Sequence, residues 1–246
     1  MTHHRPWPLP ERRWLWRQSW CDLLFAHWPV PVTLLRPLIP DGLEIQEKRG
    51  SGWVGVVPFR MSGVMRRPLP DLPGFSAFPE WNLRTYVTRD GRDGVWFFSL
   101  DATKTLAVWG GRFGFYLPYH RARIRVSHQR GNHLHRARRL SGKRPEFAAS
   151  YRPNSAVFEA EAGGFEHWLT ERYCLYAQKP DGSLFRTEVH HRPWPLQRVE
   201  AEIDAQALAA CSGIVLNGPP AHCLFSERVD VVAWNPVRLT GPTRKS

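Results

Sequence analysis

Three short turn sequences, each set between two segments of apolar or alternating character, constrain the fold of this chain more than any other feature. They are RDGRDG at residues 89–94, QRGN at 129–132 and KPDGS at 179–183. Short loops rich in Gly, Asp and Asn between such segments are typical of β-hairpins. The three predicted hairpins pair residues 82–88 with 95–100, 120–128 with 133–139, and 171–178 with 184–191. Because strand follows strand, an antiparallel sheet is predicted rather than alternating parallel units.

Helices are predicted to be few and short. The candidates are residues 32–38, 103–112 and 201–210, and two glycines, Gly110 and Gly111, weaken the end of the second. Apolar segments predict further strands at residues 14–28, 43–47, 53–61 and 229–234. The predicted class is therefore mainly β (α+β), as an antiparallel barrel or a strongly curved sheet with a few short helices.

One domain is the economical organisation for a chain of 246 residues. We expect this domain to span residues 14–238. Residues 1–13 are predicted to form a flexible proline-rich N-terminus, and residues 239–246 a C-terminal tail.

Composition excludes several classes of protein. Hydrophobic residues make up 42% of the chain and charged residues 23%, which excludes wholesale disorder. No apolar run approaches the roughly 18 residues of a membrane-spanning helix. The first ten residues lack the apolar core of a secretion signal. The four cysteines are too far apart for a Cys-x-x-Cys pair and are expected to be reduced thiols. We therefore expect a cytoplasmic protein without a membrane span.

The charge is strongly basic and skewed toward arginine. Lys and Arg number 34 against 22 Asp and Glu, and only five of the basic residues are lysines. Biased codon usage can produce such a skew without selection for binding. Residues 103–144 contain eleven basic residues and no acid, and Arg121, Arg123 and Arg125 alternate with apolar residues on a predicted strand. This arginine-rich hairpin (residues 120–144) fits a solvated outer wall, an anionic lipid headgroup, or nucleic acid.

The motifs of several common enzyme classes are absent. The sequence contains no G-x-G-x-x-G after a strand, no P-loop, no H-E-x-x-H and no G-x-S-x-G. Dinucleotide-binding, P-loop, zinc-peptidase and serine-hydrolase functions therefore lose their main support. His133 and His135 share a strand face, but we expect their neighbours Arg136, Arg138 and Arg139 to repel a cation. Neither a metal nor a cofactor is predicted.

Eight ordered sequence blocks, spread between residues 14 and 237, resemble one protein family. They are WCDLLFAHW (20–28), LLRPLIPDGLEI (34–45), GWVGVVPFRMSG (52–63), FPEWNLRTYV (78–87), VWFFSLDA (95–102), LPYHRARI (117–124), LTERYCLYA (169–177) and HHRPWPLQ (190–197). These blocks resemble the YqjF-like proteins, a bacterial family of unknown function. That family is in turn distantly similar to acetoacetate decarboxylase. The resemblance implies a closed antiparallel β-barrel of the acetoacetate-decarboxylase type with an internal pocket.

The resemblance also implies what this pocket lacks. In the decarboxylase pattern a short helix leads into Pro-Lys-Lys, where one lysine forms a Schiff base and the other lowers its pKa. The corresponding residues here are Pro118, Tyr119 and His120. Neither a phenol nor an imidazole forms an imine with a carbonyl, so decarboxylation through a Schiff base is not expected. One decarboxylase carboxylate is missing from residues 53–60, whereas a second has a counterpart in Glu80.

Five residues form the site that this correspondence predicts. Tyr119, His120 and Glu80 are the predicted catalytic residues, and Asn82 and Arg84 the predicted ligand-binding residues. Histidine titrates near neutrality, and arginine can hold a carboxylate with two hydrogen bonds. The predicted ligand is a small organic anion, with acid–base chemistry that forms no Schiff base. The structural alternatives are an ion pair between Glu80 and Arg84, a buried Tyr119 phenol, and a His120 side chain that faces solvent.

The second candidate function is that of a non-enzymatic binding protein. In it the arginine-rich hairpin contacts nucleic acid or an acidic partner. The solvated outer wall is the simpler account of that hairpin, so nucleic acid is not the expected partner. The sequence does not set the oligomeric state, and a homo-oligomer stays open.

Overall fold

Strands account for most of the secondary structure. The structure is a computed structural model that describes residues 3–70 and 76–241, apart from the side chains at positions 106 and 107. The strands of these residues are β1 (Trp16–Val30), β2 (Glu44–Ile45), β3 (Gly52–Arg66), β4 (Phe78–Arg89), β5 (Arg92–Ala102), β6 (Tyr119–Gln129), β7 (Asn132–Arg139), β8 (Glu146–Pro153), β9 (Cys174–Gln178), β10 (Leu184–His190), β11 (Leu196–Gln197), β12 (Val199–Asp204), β13 (His222–Ala233) and β14 (Val237–Arg238). The helices are α1 (Val32–Leu35), α2 (Thr105–Gly114), α3 (Phe165–Thr170) and α4 (Gln206–Ala210), with a 3-10 turn at Arg36–Leu38. Among the described residues, none of these helices has the length and apolar character needed to cross a membrane.

The strands of the described chain form one mixed sheet. Its order is β12-β8-β7-β6-β5-β9-β10-β13-β1-β3-β4-β2, and β4 also pairs with β5. The seven strands β5, β9, β10, β13, β1, β3 and β4 therefore form a continuous hydrogen-bonded circuit. Most pairs are antiparallel, but β5 pairs in parallel with both β6 and β9. The prediction of antiparallel pairing fails at these two places. In the first of them α2 carries the chain across from β5 to β6, and such a crossover makes parallel neighbours.

The three predicted hairpins are confirmed. They are β4–β5, β6–β7 and β9–β10. In the first two turns both central residues have positive φ, at Asp90 and Gly91 and at Arg130 and Gly131. Two such residues fit the twist of antiparallel strands, which explains why these short loops fix the register.

The predicted helix at 201–210 is wrong over its first half. Residues 199–204 form β12, which pairs with β8 from Val199 to Asp204, and only Gln206–Ala210 is helical. The alanine content favours a helix locally, but hydrogen bonds to β8 override that preference. Neither β8 nor α3 is predicted by the sequence pattern.

β1 and β3 are buried on both faces. Leu23 and Phe25 of β1 face one hydrophobic cluster, whereas Leu24, Ala26 and Trp28 face another. The second cluster is covered by the apolar faces of β6, β7 and β8 and by α4. Because the apolar side chains of β6 and β7 turn inward, the alternate residues of these strands are left on the outside.

Residues 1–13 are predicted to be flexible, but Arg5 and Trp7 of this segment contact β10. Arg5 is 7% exposed and its Nη2 donates to Glu188 Oε2 at 2.9 Å. Trp7 donates from Nε1 to the same oxygen at 2.7 Å. Glu188 also forms ion pairs with Arg92 at 2.6 Å and Arg186 at 3.1 Å. One buried carboxylate thus joins the N-terminal segment to β5 and β10.

Candidate functional site

A cavity of about 420 Å³ is lined by side chains of the seven-strand circuit. Every strand of the circuit contributes side chains to its wall, and most of these side chains are apolar. Cavities of roughly 300–1,000 Å³ with apolar walls and a few polar groups are typical of small-molecule sites. This cavity is therefore the candidate functional site.

Three predicted site residues enter the cavity from one strand. Glu80, Asn82 and Arg84 are alternate residues of β4, and alternate residues of a strand share a face. All three line the cavity. The residues between them, Trp81 and Leu83, are fully buried in the second hydrophobic cluster. The apolar residues thus fix which face of β4 is presented to the cavity.

Tyr119 and Glu80 form a buried hydrogen-bonded pair. Tyr119 begins β6 beside Leu100 of β5, and its hydroxyl donates to Glu80 Oε2 at 2.8 Å. Glu80 is 1% exposed, and burial raises its pKa to about 8, with the Tyr119 hydrogen bond acting in the opposite direction. Burial and the nearby Glu80 carboxyl raise the pKa of Tyr119 well above its ordinary value. Tyr119 is therefore a permanent donor, and Glu80 is the group of the pair that exchanges a proton near neutral pH.

A glycine of α2 sets the position of the Tyr119 ring. A Cβ atom at Gly111 would lie 2.3 Å from two carbon atoms of that ring, whereas a Cβ at Gly110 would meet nothing within 4 Å. Arg112 Nε donates to the Tyr119 carbonyl at 2.6 Å. The glycine that weakens α2 in the sequence is thus the residue that lets the helix contact the tyrosine.

Several buried polar atoms around the cavity have no hydrogen-bond partner among the described residues. They are Trp20 Nε1, Asn82 Oδ1, Arg84 Nε, Arg84 Nη2, Arg172 Nε and Thr187 Oγ1. Four of these six atoms are N–H donors and a fifth is a hydroxyl. Buried polar groups are normally paired, because an unpaired one costs about 1–3 kcal/mol. Most of the unpaired polar atoms on the described part of the cavity wall are therefore hydrogen-bond donors.

Two guanidinium groups contribute most of these donors. The Arg84 and Arg172 guanidiniums lie 5.8 and 4.8 Å from the centre of the Tyr86 ring. Arg172 is held by Gln46 Oε1 and by the Trp168 carbonyl, each at 2.5 Å. Arg84 forms no ion pair within residues 3–70 and 76–241, so the alternative of a Glu80–Arg84 ion pair does not occur there. The Arg84 guanidinium therefore lies on the cavity wall without an ion-pair partner among the described residues.

The balance of charge in the cavity favours an anion. Among the described residues that line it, Glu80 is the sole acid, and Arg66, Arg84 and Arg172 are basic. Burial raises the pKa of Glu80 to about 8, so most of this carboxyl is neutral at pH 7. No lysine occurs among these described lining residues.

His120 does not join the other predicted residues. It lines a separate concavity with Arg112 and Arg139, because consecutive residues of a strand point to opposite faces. Burial, together with the charges of Arg139 and then Arg112, lowers the pKa of His120 to about 4. The expectation that its imidazole approaches Tyr119 across one pocket is corrected by this geometry. The His120 side chain is partly buried in this concavity, so the alternative of a solvent-facing imidazole stays open.

A buried ion pair lies next to the Glu80–Tyr119 pair. Arg139 donates to both carboxylate oxygens of Asp101, each at 2.7 Å, and Asp101 is fully buried. Burial raises the pKa of Asp101, although the Arg139 hydrogen bond opposes this, and Asp101 in turn raises the pKa of Glu80. Arg139 is thus the one arginine of β7 that is turned inward.

The other arginines of the hairpin are on the outer surface. Arg121, Arg123 and Arg125 are exposed, as their alternation predicts. Across the hairpin, Arg123 pairs with Arg138 and Arg125 with Arg136, both of which are also exposed. We refer to these five residues as the outer arginine row.

Several residues of the cavity are not among the predicted site residues. Trp20, Arg172, Thr187 and His191 all line it. His191 is buried, and its Nδ1 donates to the Arg192 carbonyl at 2.7 Å. A signal for three of them exists, since Trp20, Arg172 and His191 fall inside the blocks that resemble the YqjF-like family. Thr187 lies outside those blocks.

The comparisons with known proteins agree with this fold. Residues 17–230 match the DUF2071 family model, described as "Uncharacterized conserved protein". The chain is 43% identical over 227 residues to the uncharacterized protein YqjF of Bacillus subtilis (strain 168). The aligned region covers 92% of this chain and 93% of that protein.

Solved structures of low sequence identity share the fold. The enduracididine biosynthesis enzyme MppR complexed with pyruvate has a TM-score of 0.66 at 13% identity, over 92% of this chain and 90% of that one. Acetoacetate decarboxylase from Legionella pneumophila has a TM-score of 0.64 at 16% identity, over 96% and 92%. An acetoacetate decarboxylase-like enzyme from Sphingomonas wittichii RW1 has a TM-score of 0.64 at 14% identity, over 94% of this chain and 95% of that one. With a family match over most of its length, this chain belongs to the DUF2071 family, and its fold is that of the acetoacetate decarboxylases.

Proposed function

We propose that this chain binds a small organic anion in the cavity and transfers protons on it without a Schiff base. The observation that carries the proposal is the set of buried N–H and O–H donors that have no partner within the described residues. Arg84 is the centre of this set, because both Nε and Nη2 are unpaired. These two atoms form the fork that binds a carboxylate through parallel hydrogen bonds.

The container for this guest is, in our proposal, a closed β-barrel. The support is the circuit of seven strands in which each neighbouring pair is hydrogen-bonded, with β4 paired to β5. Closure removes sheet edges and leaves an interior large enough for one small ligand. A site of this kind excludes bulk water, which strengthens the electrostatic interactions within it.

Small keto acids are the guests that this proposal favours. One similar solved structure is described as complexed with pyruvate, and others are acetoacetate decarboxylases. The cavity wall in turn offers guanidinium to a carboxylate and phenol to a carbonyl oxygen. A keto acid carries both of these acceptors on adjacent or nearby carbons.

Proton transfer is assigned to Glu80 and Tyr119. With a pKa of about 8, Glu80 is ionised in roughly a tenth of the molecules at pH 7. Its carboxylate removes a proton from the carbon next to the carbonyl, and the C–H electron pair becomes the double bond of an enolate. The Tyr119 hydroxyl, turned from Glu80 to the guest, donates to the developing oxyanion. The proton on Glu80 then exchanges with solvent, and transfer of a solvent-derived proton from Glu80 back to the carbon restores the C–H bond and closes the cycle. His120 has no role in this proposal, since it lines another concavity.

Deuterium exchange into pyruvate tests the proposal. The protein is incubated with pyruvate in D2O, and loss of the methyl proton signal is followed by NMR. Exchange is expected to exceed the protein-free rate and to rise with pH up to about 8, as Glu80 ionises. Glu80→Gln should abolish the protein-dependent exchange, and Tyr119→Phe should slow it about a hundredfold, the usual effect of losing an oxyanion donor.

The matched control for this experiment is Glu200→Gln, which alters an exposed carboxylate of β12 outside the cavity. It should leave the exchange rate unchanged. For the binding step, Arg84→Met should raise the Kd for pyruvate at least tenfold, whereas Arg152→Met, at an exposed arginine of β8, should not change it. Exchange at the protein-free rate, or exchange unaffected by Glu80→Gln, contradicts the proposal.

A second candidate function is favoured by the outer arginine row. Its five exposed guanidiniums lie on two paired strands, and such a row can follow the phosphates of a nucleic acid. Fluorescence anisotropy with labelled DNA tests it. Binding should weaken steeply as salt rises and disappear when Arg121, Arg123 and Arg125 are replaced by Ser. Salt-independent binding, or none at low ionic strength, eliminates this function.

A further inference from the structure

A second cluster of polar side chains lies outside the cavity. It consists of Asp22, His128 and His133, whose ligand atoms all lie within 4.8 Å of one another. Two of the three are partly buried and His128 is exposed. One carboxylate and two imidazoles are a common donor set for zinc and related divalent transition metals.

The two histidines face each other across a hairpin. His128 of β6 is the direct partner of His133 of β7. His128 Nε2 and His133 Nδ1 are hydrogen-bonded to each other at 2.9 Å, and a bound ion would replace this hydrogen bond. The His133 ring is also stacked on Tyr151, with an interplanar angle of 2° and centroids 5.0 Å apart. The orientation of one of the two imidazoles is therefore fixed by packing, as a preformed site requires.

The third donor is held by an irregularity in β1. Asp22 has φ of 57°, a left-handed conformation that is uncommon for a residue other than glycine. It lies in the register shift between Cys21 and Ala26, and its carbonyl accepts from the Tyr151 hydroxyl at 2.7 Å. Arg60 donates to Oδ2 alone, at 3.0 and 3.2 Å, which leaves Oδ1 for another partner. The bulge thus turns this carboxylate away from the strand and toward the histidines.

The arginines near these histidines in sequence are not an obstacle to a cation. Arg136 and Arg138 are exposed on the face of β7 opposite His133 and His135, because alternate residues share a face. Arg139 shares the face of His133 but is bound to both oxygens of Asp101. The strand geometry therefore removes the repulsion that the linear sequence suggests.

We infer that Asp22, His128 and His133 bind one divalent transition metal ion of the zinc class. The donors would be Asp22 Oδ1 and one ring nitrogen of each histidine, with a water completing a tetrahedral site. The ion would join the bulge of β1 to the end of the β6–β7 hairpin. Because binding to the folded state stabilises it, the metal should also raise the unfolding temperature.

Titration with Co2+ and Zn2+ tests this inference. The purified full chain, freed of metal with a chelator, is expected to bind one Co2+ per chain with the visible absorption of a tetrahedral complex. Zn2+ should displace the Co2+ and raise the Tm. His128→Ala, which changes an exposed side chain, should weaken binding at least about tenfold and remove the Tm increase. Asp22→Asn should have a similar effect on affinity.

The matched control is His3→Ala, which removes an exposed histidine outside the cluster. Binding in this variant should equal that of the unchanged chain. The inference is overturned if no saturable one-to-one binding occurs, if the absorption is that of an octahedral aquo ion, or if His128→Ala binds as tightly as the unchanged chain. It is also overturned if binding is lost in His3→Ala.

Discussion

Replacing Glu80 by Gln should remove a large part of the pH dependence of stability. Glu80 is 1% exposed, and its pKa of about 8 in the folded protein is far above the ordinary value of 4.5. A carboxyl whose pKa is raised by folding contributes its full stability below the unfolded pKa. That contribution is lost as pH rises through the folded pKa. Glutamine cannot ionise, keeps the shape of the neutral acid and can still accept the Tyr119 hydrogen bond.

The magnitude follows from the two pKa values. Linkage gives a loss of unfolding free energy of about 1.4 kcal/mol per pH unit within this window, which amounts to roughly 3–4 kcal/mol between pH 5 and pH 8. Glu80→Gln should therefore gain about that much stability relative to the unchanged chain over this range. Other titrating groups are common to both proteins, so the difference between the two curves isolates Glu80.

Urea denaturation at pH 5, 6, 7 and 8, followed by tryptophan fluorescence, measures this difference. Two parallel curves of unfolding free energy against pH would refute the reasoning, because they would mean that Glu80 titrates alike in the folded and unfolded states. Tyr119→Phe provides an internal check. It removes the hydrogen bond that lowers the pKa of Glu80, so the loss of stability should extend above pH 8. An unchanged midpoint would contradict the role of that bond.

Three further predictions concern the surroundings of the pair. Gly111→Ala should displace the Tyr119 ring at the cavity and cost about 1–3 kcal/mol of stability, whereas Gly110→Ala should cost little. Thermal denaturation compares the two variants, and equal losses of stability would contradict the close contact between Gly111 and the Tyr119 ring. Arg139→Ala should cost about 3–5 kcal/mol because it leaves Asp101 buried and unpaired, whereas the exposed Arg138→Ala should stay within about 0.5 kcal/mol in the same assay. A similar effect of both arginine variants would show that the buried pair is not special. Borohydride reduction with pyruvate, followed by peptide mass analysis, should yield no lysine adduct; an adduct on any lysine would mean that an amine enters the cavity.

Strand pairing is predicted correctly where two strands are joined by a short turn. The hairpins at residues 89–94 and 129–132 are readable because their turn residues adopt positive φ, which few residue types tolerate. The parallel pairings of β5 are not predicted from the sequence. The pairing with β6 depends on where α2 returns the chain, and the pairing with β9 joins strands that are far apart in the sequence. The segment 199–204 is misread as helix because its pairing with β8 is a long-range interaction.

The residues of the candidate site are likewise only partly predictable from the sequence. Glu80, Asn82, Arg84 and Tyr119 are predicted through the resemblance to the decarboxylase pattern, and all four line the cavity. The period of two in a strand excludes His120, which is adjacent to Tyr119 and therefore points to the other face. Thr187 of β10 lies outside the family-like blocks, and only the folded sheet brings it to the cavity. The Asp22 bulge and its facing histidines likewise depend on backbone geometry that no sequence period encodes.

A crystal structure of the protein soaked with pyruvate tests the central claim most directly. We expect the carboxylate on Nε and Nη2 of Arg84, the carbonyl oxygen within hydrogen-bonding distance of the Tyr119 hydroxyl, and the methyl group next to Glu80. No covalent bond to the protein is expected. Continuous electron density between pyruvate and a lysine nitrogen would contradict the account, and so would a cavity that stays free of pyruvate after the soak.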